Sequence, residues 1–586
     1  MAIFVFRPPH DRGTGGRDAR RISSMGVEAF VVVMALAVVG GLVAVGREWS
    51  APLVEVAPID LSWRALPAYT LLTLARGMAA FALSLVFTVV YATAAARSRR
   101  AERVLIPALD VLQSIPVLSF IPGFVIAFVA LFPHQNVGLE MACVLAIFTG
   151  QVWNMTFSYH ASLRAIPTEQ CEVARLHRFG RWKTLTSLEL PSAMIGLVWN
   201  SMMSMAGGWF FIPLIETTRV QGREFRVQGI GSYMRAAIEE RDAAAMTGGI
   251  VAMVVMIVLL DQLLWRPLLV WAERFRNEET ATAEKPTSWA YDLLHGSRLV
   301  AWLRRRRREA SRRLESAAPS APPAGTPARA GPGAVLAWAG AAAAAAAAAW
   351  GAWRLTALLA SVPGAGWLSI SRSLGLTGLR VLAAIGVSLA WTLPVGVAIG
   401  RSPRLSRALQ PVIQVLAGFP APMIYPLVAL PLLAWGVNAS VVVVVLMLLG
   451  AQWYVLFNVA AGATSVPADL REAAAAFRVV GMRRFVVLYL AGVFPYLLTG
   501  VVTAAGGAWN ASVACELVDL GHARDPLVVD GIGSLIARAF GDETTPADYP
   551  TLAAATVSLS LALVLVNRFV WKPLHRIADE RFAMNR

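Results

Sequence analysis

The chain has 586 residues, of which 57% are apolar and only 15% charged, with a formal net charge of +16. Soluble domains carry about 25% charged residues, so the composition excludes a soluble globular domain and describes a membrane protein with polar interludes. No zinc-finger spacing and no basic groove interleaved with aromatic residues accompanies the charge, which argues against a nucleic-acid partner, and Cys143, Cys171 and Cys515 lie far apart, with neither a disulfide framework nor a metal-binding spacing.

In chain order, residues 1–25 form a basic segment without the short apolar core and small-residue cleavage site of a signal peptide. Gly26–Gly46 is the first run long enough to span. Further spans are expected at Leu66–Ala96, Val104–Phe132, Val137–Phe157, Ser192–Ile215 and Met246–Trp265, each meeting the requirement of ~20 apolar residues. Residues 277–333 are polar, with an Arg run at Arg304–Arg308 and a Pro/Ala/Ser stretch at Ala317–Pro332, and read as a linker. A second series follows at Val335–Leu359, Ile370–Gly400, Ala408–Trp435, Ser440–Ala460, Val493–Leu517 and Thr551–Val570. The expected fold is therefore all-α and polytopic, with about twelve spans divided between residues 26–276 and 334–586.

Arg97, Arg99, Arg100 and Arg103 follow the second span, Arg401, Arg404 and Arg407 follow the eighth, and the Arg-rich linker follows the sixth. All three fall on one side, which the positive-inside bias makes cytosolic, together with both termini. The polar loops after the fourth and tenth spans share that side.

Those two loops are copies. Pro467, Glu472, Ala474 and Arg478 each stand 300 positions after Pro167, Glu172, Ala174 and Arg178. Pro107, Pro116 and Pro122 recur as Pro411, Pro420 and Pro426, Gly207-Gly208 as Gly506-Gly507, and the Gly-Ile-Gly-Ser of Gly229–Ser232 as Gly531–Ser534. Trp265-Arg-Pro-Leu recurs as Trp571-Lys-Pro-Leu. Motifs in one order at nearly constant offset establish an internal duplication, with both halves oriented alike.

Each loop reads as two short helices, the first starting at Glu172 or Glu472, where the helix dipole favours an acid. An ordinary basic loop would satisfy the charge bias equally well in one copy. Two copies keeping Pro, Glu, Ala and Arg in register favour a docking element for a partner. The third and ninth expected spans carry three prolines each. In lipid such breaks are tolerated where freed carbonyls face protein or a water-filled cavity, so Pro107, Gln113, Pro116, Pro122, Pro411, Pro420 and Pro426 are the pore-lining candidates. Asp110 and Gln414 read as wet helix-end residues, and the paired glycines as close-packing positions. Glu216 and Glu516 fall near the outer ends of their spans, where gating or outer-loop contacts are expected. Arg219, Arg223, Arg226, Arg235 and Arg241 in the loop after the fifth span suit either an anion funnel or a mixed-charge surface.

The doubled loops resemble the EAA loops of ATP-binding-cassette importer permeases, built on Glu-Ala-Ala, a Gly six residues after the Glu, and a downstream Leu-Pro. Glu172, Ala174 and Leu190-Pro191 match in residues 161–191, and Glu472, Ala473 and Ala474 in residues 461–495. The Gly position is Arg178 and Arg478 here, with Gly180 and Gly481 displaced, and the second copy has Leu490-Ala491 in place of Leu-Pro. Leu109–Pro122, Glu189–Asn200 and the pair Arg181-Trp182 are similar to nitrate/sulfonate/bicarbonate (nitrate–taurine) importer permeases, and the whole chain resembles the duplicated permeases of that type.

The resemblance implies two tandem six-helix type I importer repeats forming the pathway for a small anion such as nitrate, sulfonate or bicarbonate. It implies coupling residues Glu172, Ala174, Gly180, Arg181, Trp182, Pro191, Glu472, Ala473, Ala474 and Gly481. Implied partners are two cytosolic ATPase subunits, the bilayer and, optionally, a periplasmic or lipid-anchored solute-binding protein. No phosphate-binding Gly-x-x-x-x-Gly-Lys-[Ser/Thr] loop occurs, so no cofactor and no catalytic or metal site is expected in the chain, and ATP would be bound by the partners. The alternatives are a fused permease for ferric iron or thiamine, or a carrier driven by an ion gradient. The latter would need ionisable residues in several spans, where the sequence offers Asp261.

Overall fold

The computed structural model describes residues 24–581, apart from 221–222, 276–286, 298, 303–304, 307–345, 348, 465, 522–525 and 542–544. The basic N-terminal stretch, most of the 277–333 linker and the start of the span expected at Val335–Leu359 lie outside the described residues.

The first half runs through α1 (Ser24–Trp49), α2 (Leu66–Arg97), α3 (Arg99–Gln113), α4 (Ile121–Leu131), α5 (Val137–Arg164), α6 (Thr168–Leu176), α7 (Leu190–Glu216), α8 (Ile230–Glu239) and α9 (Ala243–Leu260). The second repeats it as α10 (Gly364–Arg401), α11 (Pro403–Gly418), α12 (Tyr425–Ala434), α13 (Ala439–Thr464), α14 (Ala468–Ala476), α15 (Ala491–Cys515), α16 (Ile532–Ala539) and α17 (Tyr549–Val566). Small antiparallel hairpins follow α7 and α15, with Thr217 opposite Arg226 and Leu517 opposite Val528.

Among the described residues nine helices are long and apolar enough to cross a membrane, or ten if one bent pair counts as a single span. Of the expected twelve, the third and the ninth are broken at proline, and the seventh begins outside the described residues. After α3 the chain passes through Pro116 into the single tight turn Val117–Phe120 before α4 begins. Its counterpart bends by 80° between Pro411–Gly418 and Ala421–Ala434. A proline supplies no N–H to the ladder and pushes the preceding residue out of the helical region; Phe419, before Pro420, is extended at φ −73°, ψ 131°. Both broken segments start alike, with Ser98 accepting from the Ala101 amide and Ser402 from that of Leu405.

Each half is organised on three packed helices, α2, α5 and α7 in the first and α10, α13 and α15 in the second. Lipid provides no hydrophobic drive between helices, so close backbone approach carries the packing. A Cβ on Gly396 would lie 2.6 Å from Val459 Cγ1, and one on Gly400 2.6 Å from the Ala460 carbonyl. This Gly-x-x-x-Gly face sets α10 against α13. Ala92 and Ala96 hold the same positions in α2, and Ala92 is fully buried. Gly208 behaves as expected of a close-packing residue, since a Cβ there would lie 2.4 Å from Gln151 Nε2.

Four π-helical stretches also obey the duplication: Leu185–Glu189 with Phe485–Leu490, and Asp261–Trp265 with Asn567–Trp571. Pro191 follows the first of these, but the second persists without a Leu-Pro, so proline is not the cause.

Candidate functional site

The two loop helices begin earlier than the sequence suggests. α6 and α14 start directly after Pro167 and Pro467, which places Glu169 and Asp469 in their first turns and Glu172 and Glu472 one turn later. Both helices end in the same way. Arg178 and Arg478 sit at φ 50° and 51°, in the left-handed region that favours glycine. The amides of Phe179 and Arg178 donate to the carbonyls of Ala174 and Arg175 at 2.9 Å each, and those of Val479 and Arg478 to Ala474 and Ala475 at 2.8 and 3.0 Å. These are Schellman caps with arginine in the glycine's place. Both copies thus make the same turn without glycine at that position.

Glu172 is exposed, Ala174 buried, and Gly180 caps the short helix Arg181–Thr184, on which Arg181 and Trp182 are exposed. The Arg181 carbonyl accepts from Arg97 at 3.2 Å, and Arg97 also pairs with Glu189 at 2.8 Å, tying the loop to the end of α2. Pro191 opens α7. Glu472 and Ala473 are exposed, Ala474 is half-buried, and Gly481 starts Gly481–Arg484 at φ 61°. Leu176 and Trp182 remain 82% and 76% exposed, and Phe477 and Met482 83% and 74%, so each loop offers an uncovered apolar surface beside its charges.

At the opposite face lies a cluster that the sequence reading missed. Glu216 and Glu516, at the ends of α7 and α15, are buried within the protein, 1% and 0% exposed. Arg76 Nη1 donates to Glu216 at 2.8 Å and Arg76 also binds both oxygens of Glu140, at 2.5 and 2.7 Å. Thr73 donates to Glu216 at 2.7 Å, and the amide of Gly231 to its other oxygen at 2.7 Å. The second half repeats this with Arg380 on Glu516 at 2.7 Å, Thr377 at 2.7 Å and the Gly533 amide at 2.8 Å. The Gly-Ile-Gly-Ser copies are thus helix starts whose amides receive a buried carboxylate. The Gly231 and Gly533 amides belong to the segments after the spans, whereas Thr73, Arg76, Thr377 and Arg380 lie within α2 and α10. One Arg at equivalent places in two apolar spans, Arg76 and Arg380, was the available signal.

The remaining loop arginines are largely engaged locally. Arg226 pairs with Glu224 at 2.6 Å and Glu239 at 3.2 Å, Arg223 with Glu55 at 3.3 Å, and Arg235 with Glu239 at 2.6 Å. Arg235 also reaches Asp519, joining the two halves.

Between the halves lies a cavity of about 250 Å³, flanked by Gly150 and its equivalent Gly450 and by Gly207 and the pair Gly506-Gly507. Trp153, Asn154, Ser204, Tyr454 and Asn510 contribute polar groups, and no charged side chain lines it among the described residues. Asn510 accepts from the Val117 amide at 3.2 Å, seating the proline break of the first half against α15 of the second. Of the seven pore-lining candidates Gln113 lines this cavity. Pro116 and Pro420 shape the breaks, Pro107 lies within α3, and Pro122 opens α4. Pro411 borders a side recess with Asp261, and Pro426 a recess with Arg235 and Asp519. Asp110 and Gln414 are cross-half anchors, bound to Lys572 at 3.2 Å and Asp261 at 2.6 Å.

The sequence matches the family described as "binding-protein-dependent transport system inner membrane component" twice, over residues 84–264 and 390–570. The chain belongs to this family. The two matches coincide with the two structural halves, so this inner membrane component is an internally duplicated, multi-pass permease chain. It is similar to the bicarbonate transport system permease protein CmpB of Synechococcus elongatus, 29% identical over 195 residues, covering 33% of this chain and 62% of that protein. It is also similar to the nitrate import permease protein NrtB of Leptolyngbya laminosa, 30% identical over 194 residues, covering 33% and 61%. The taurine transport system permease protein TauC of Escherichia coli is 31% identical over 143 residues, covering 24% and 49%. The matches span less than two thirds of the length of each of these relatives.

Proposed function

We propose that this chain is the transmembrane permease of an ATP-driven importer of a small anion, with both halves of the pore in one polypeptide. The observation that carries this reading is the pair of exposed loop helices, α6 and α14, with identical Schellman caps, in a chain whose two halves enclose a cavity. Their apolar residues Leu176, Trp182, Phe477 and Met482 would enter clefts of two separate ATPase subunits, which hold and hydrolyse the ATP. The chain itself contributes no ATPase site. The coupling face, with Arg97, Arg401 and both termini, is cytosolic in this reading. Closure of the motors would draw the coupling helices together and rock the halves about the cavity.

Nitrate, bicarbonate and sulfonates are the substrate candidates, because relatives named for bicarbonate, nitrate and taurine transport share the matched region. A periplasmic or lipid-anchored solute-binding protein fits the opposite face. A gradient-driven carrier would need ionisable groups on the pathway, and the spans hold more of them than Asp261. Arg76, Glu140, Glu216, Arg380 and Glu516, however, pair with one another away from the cavity lining.

The test is co-purification and uptake. The wild-type chain retains ATPase subunits in detergent and supports ATP-dependent anion uptake in proteoliposomes, and Glu172→Arg with Glu472→Arg abolishes both. Retention of ATPase binding and uptake by that double variant, or uptake that runs on a proton gradient without ATP, sinks the reading.

A further inference from the structure

We infer that each half carries a pairing code, so that its interface fits the other half and rejects a second copy of itself. The code is one carboxylate that changes sides between two equivalent contacts. In the first contact Asp110 of α3 accepts from Lys572, just beyond the π-helical stretch Asn567–Trp571, at 3.2 Å. In the second, Gln414 of α11 donates to Asp261 of the stretch Asp261–Trp265 at 2.6 Å, and Arg266 donates to Asp261 at 3.0 Å. The offsets that align Pro107 with Pro411 and Trp265 with Trp571 make Gln414 the counterpart of Asp110. By the same alignment Asn567 is the counterpart of Asp261, and Lys572 that of Arg266. The acid therefore stands on the broken segment in one contact and after the last span in the other.

Each contact as built holds one acid and one base. Two first halves would set Asp110 against Asp261 with only Arg266 between them, leaving a negative charge in each contact. Two second halves would set Gln414 against Asn567 and Lys572, leaving a positive one. The side chains of Asp261 and Asp110 are 14% and 26% exposed, so water screens an unmatched charge only in part. Gln414 and Asp261 also border a recess walled by Met202, Trp209, Ile257 and Trp265, which strengthens the penalty for two acids meeting there. Attraction in the right pairing and like charge in the wrong one is how similar partners are told apart.

The face away from the coupling helices obeys the same rule with other residues. Arg235 pairs with Asp519 across the halves. Counted from the Gly-Ile-Gly-Ser copies, the counterpart of Arg235 is Ala537; counted from Glu216 and Glu516, that of Asp519 is Arg219. Two first halves would bring Arg235 to the place of Arg219, and two second halves would leave Asp519 opposite Ala537. Identical subunits related by a twofold axis meet through one self-complementary surface. These halves meet through two surfaces that complement only each other, whatever solute the chain carries.

Single substitutions in the full chain reproduce each mismatch in place. Gln414→Asp sets an acid against Asp261, as two first halves would, and Asp110→Gln leaves Lys572 without its acid, as two second halves would. Asp261→Asn and Asn567→Asp create the same two mismatches from the last-span side. The folded chain is cut at a protease site inserted in the Ala317–Pro332 stretch and held in detergent by an N-terminal tag, and release of the second half is followed in time. Each single variant releases it faster, by about fivefold. Gln414→Asp with Asp261→Asn, and Asp110→Gln with Asn567→Asp, move the acid across the contact and restore the wild-type rate. Where release is too slow to follow, melting temperatures of the uncut chain make the same comparison. Single variants that match the wild type, or double variants no better than the worse of their singles, overturn the proposal. Recovery is read in the double variants, so a substitution that only misfolds cannot produce it.

Discussion

Arg76 grips Glu140 with both arms of its guanidinium, at 2.5 and 2.7 Å, where the equivalent Arg380 meets only the hydroxyl of Ser440 at 3.4 Å. The first half therefore sets two carboxylates against one buried cation, and the second sets one against one. Breaking a buried pair leaves an uncompensated charge at a cost of ~3–5 kcal/mol. Arg76→Met strands two acids and Arg380→Met strands one, so Arg76→Met is the more destabilising. Melting temperatures in one detergent should rank the variants in that order, and equal losses would show that Glu140 carries no weight.

The Gly-Ile-Gly-Ser starts of α8 and α16 tolerate no side chain. A Cβ on Gly229 would lie 2.3 Å from the Glu216 carboxylate, and one on Gly533 2.3 Å from the Ser512 carbonyl. Gly229→Ala and Gly533→Ala should sharply reduce the yield of folded protein. Gly506→Ala, with nothing within 4 Å of the added carbon, should express normally. Size-exclusion profiles separate these outcomes.

Arg178 and Arg478 carry the strain of a left-handed backbone at φ 50° and 51°. A non-glycine residue pays ~1 kcal/mol there, and neither arginine is buried. Arg178→Gly and Arg478→Gly should hold or raise the stability of the loop, read as slower amide exchange at Phe179 and Val479. Faster exchange would mean that the arginine side chains stabilise their caps.

Arg235 and Asp519 connect the halves at the face away from the coupling helices. Asp519 is 37% exposed at its side chain, so solvent screens the pair and its coupling energy should stay within ~1 kcal/mol. A double-mutant cycle with Arg235→Ala and Asp519→Ala, followed by thermal unfolding, measures it directly. Additive losses would show that the contact contributes nothing to holding the halves together.

Much of this architecture can be read along the chain, because its signals are local or repeated. Apolar length fixed most spans. The constant offset between Pro167 and Pro467, or between the two Gly-Ile-Gly-Ser copies, exposed the duplication without any knowledge of packing. The prolines marked the breaks at Pro116 and Pro420, although a count of apolar runs scores each broken segment as one helix.

By itself, then, the sequence determined an all-α membrane chain, its division into two like halves and the pair of polar loops repeated between them. Burial and pairing were decided only in three dimensions. Arg76, Glu140 and Glu216 lie as many as 140 positions apart, and nothing local in the chain pairs them. Tertiary packing strips their water and sets them against one another, with Thr73 and the Gly231 amide completing the cluster. Local propensity and hydropathy act through neighbours in the chain, whereas desolvation acts through neighbours in space.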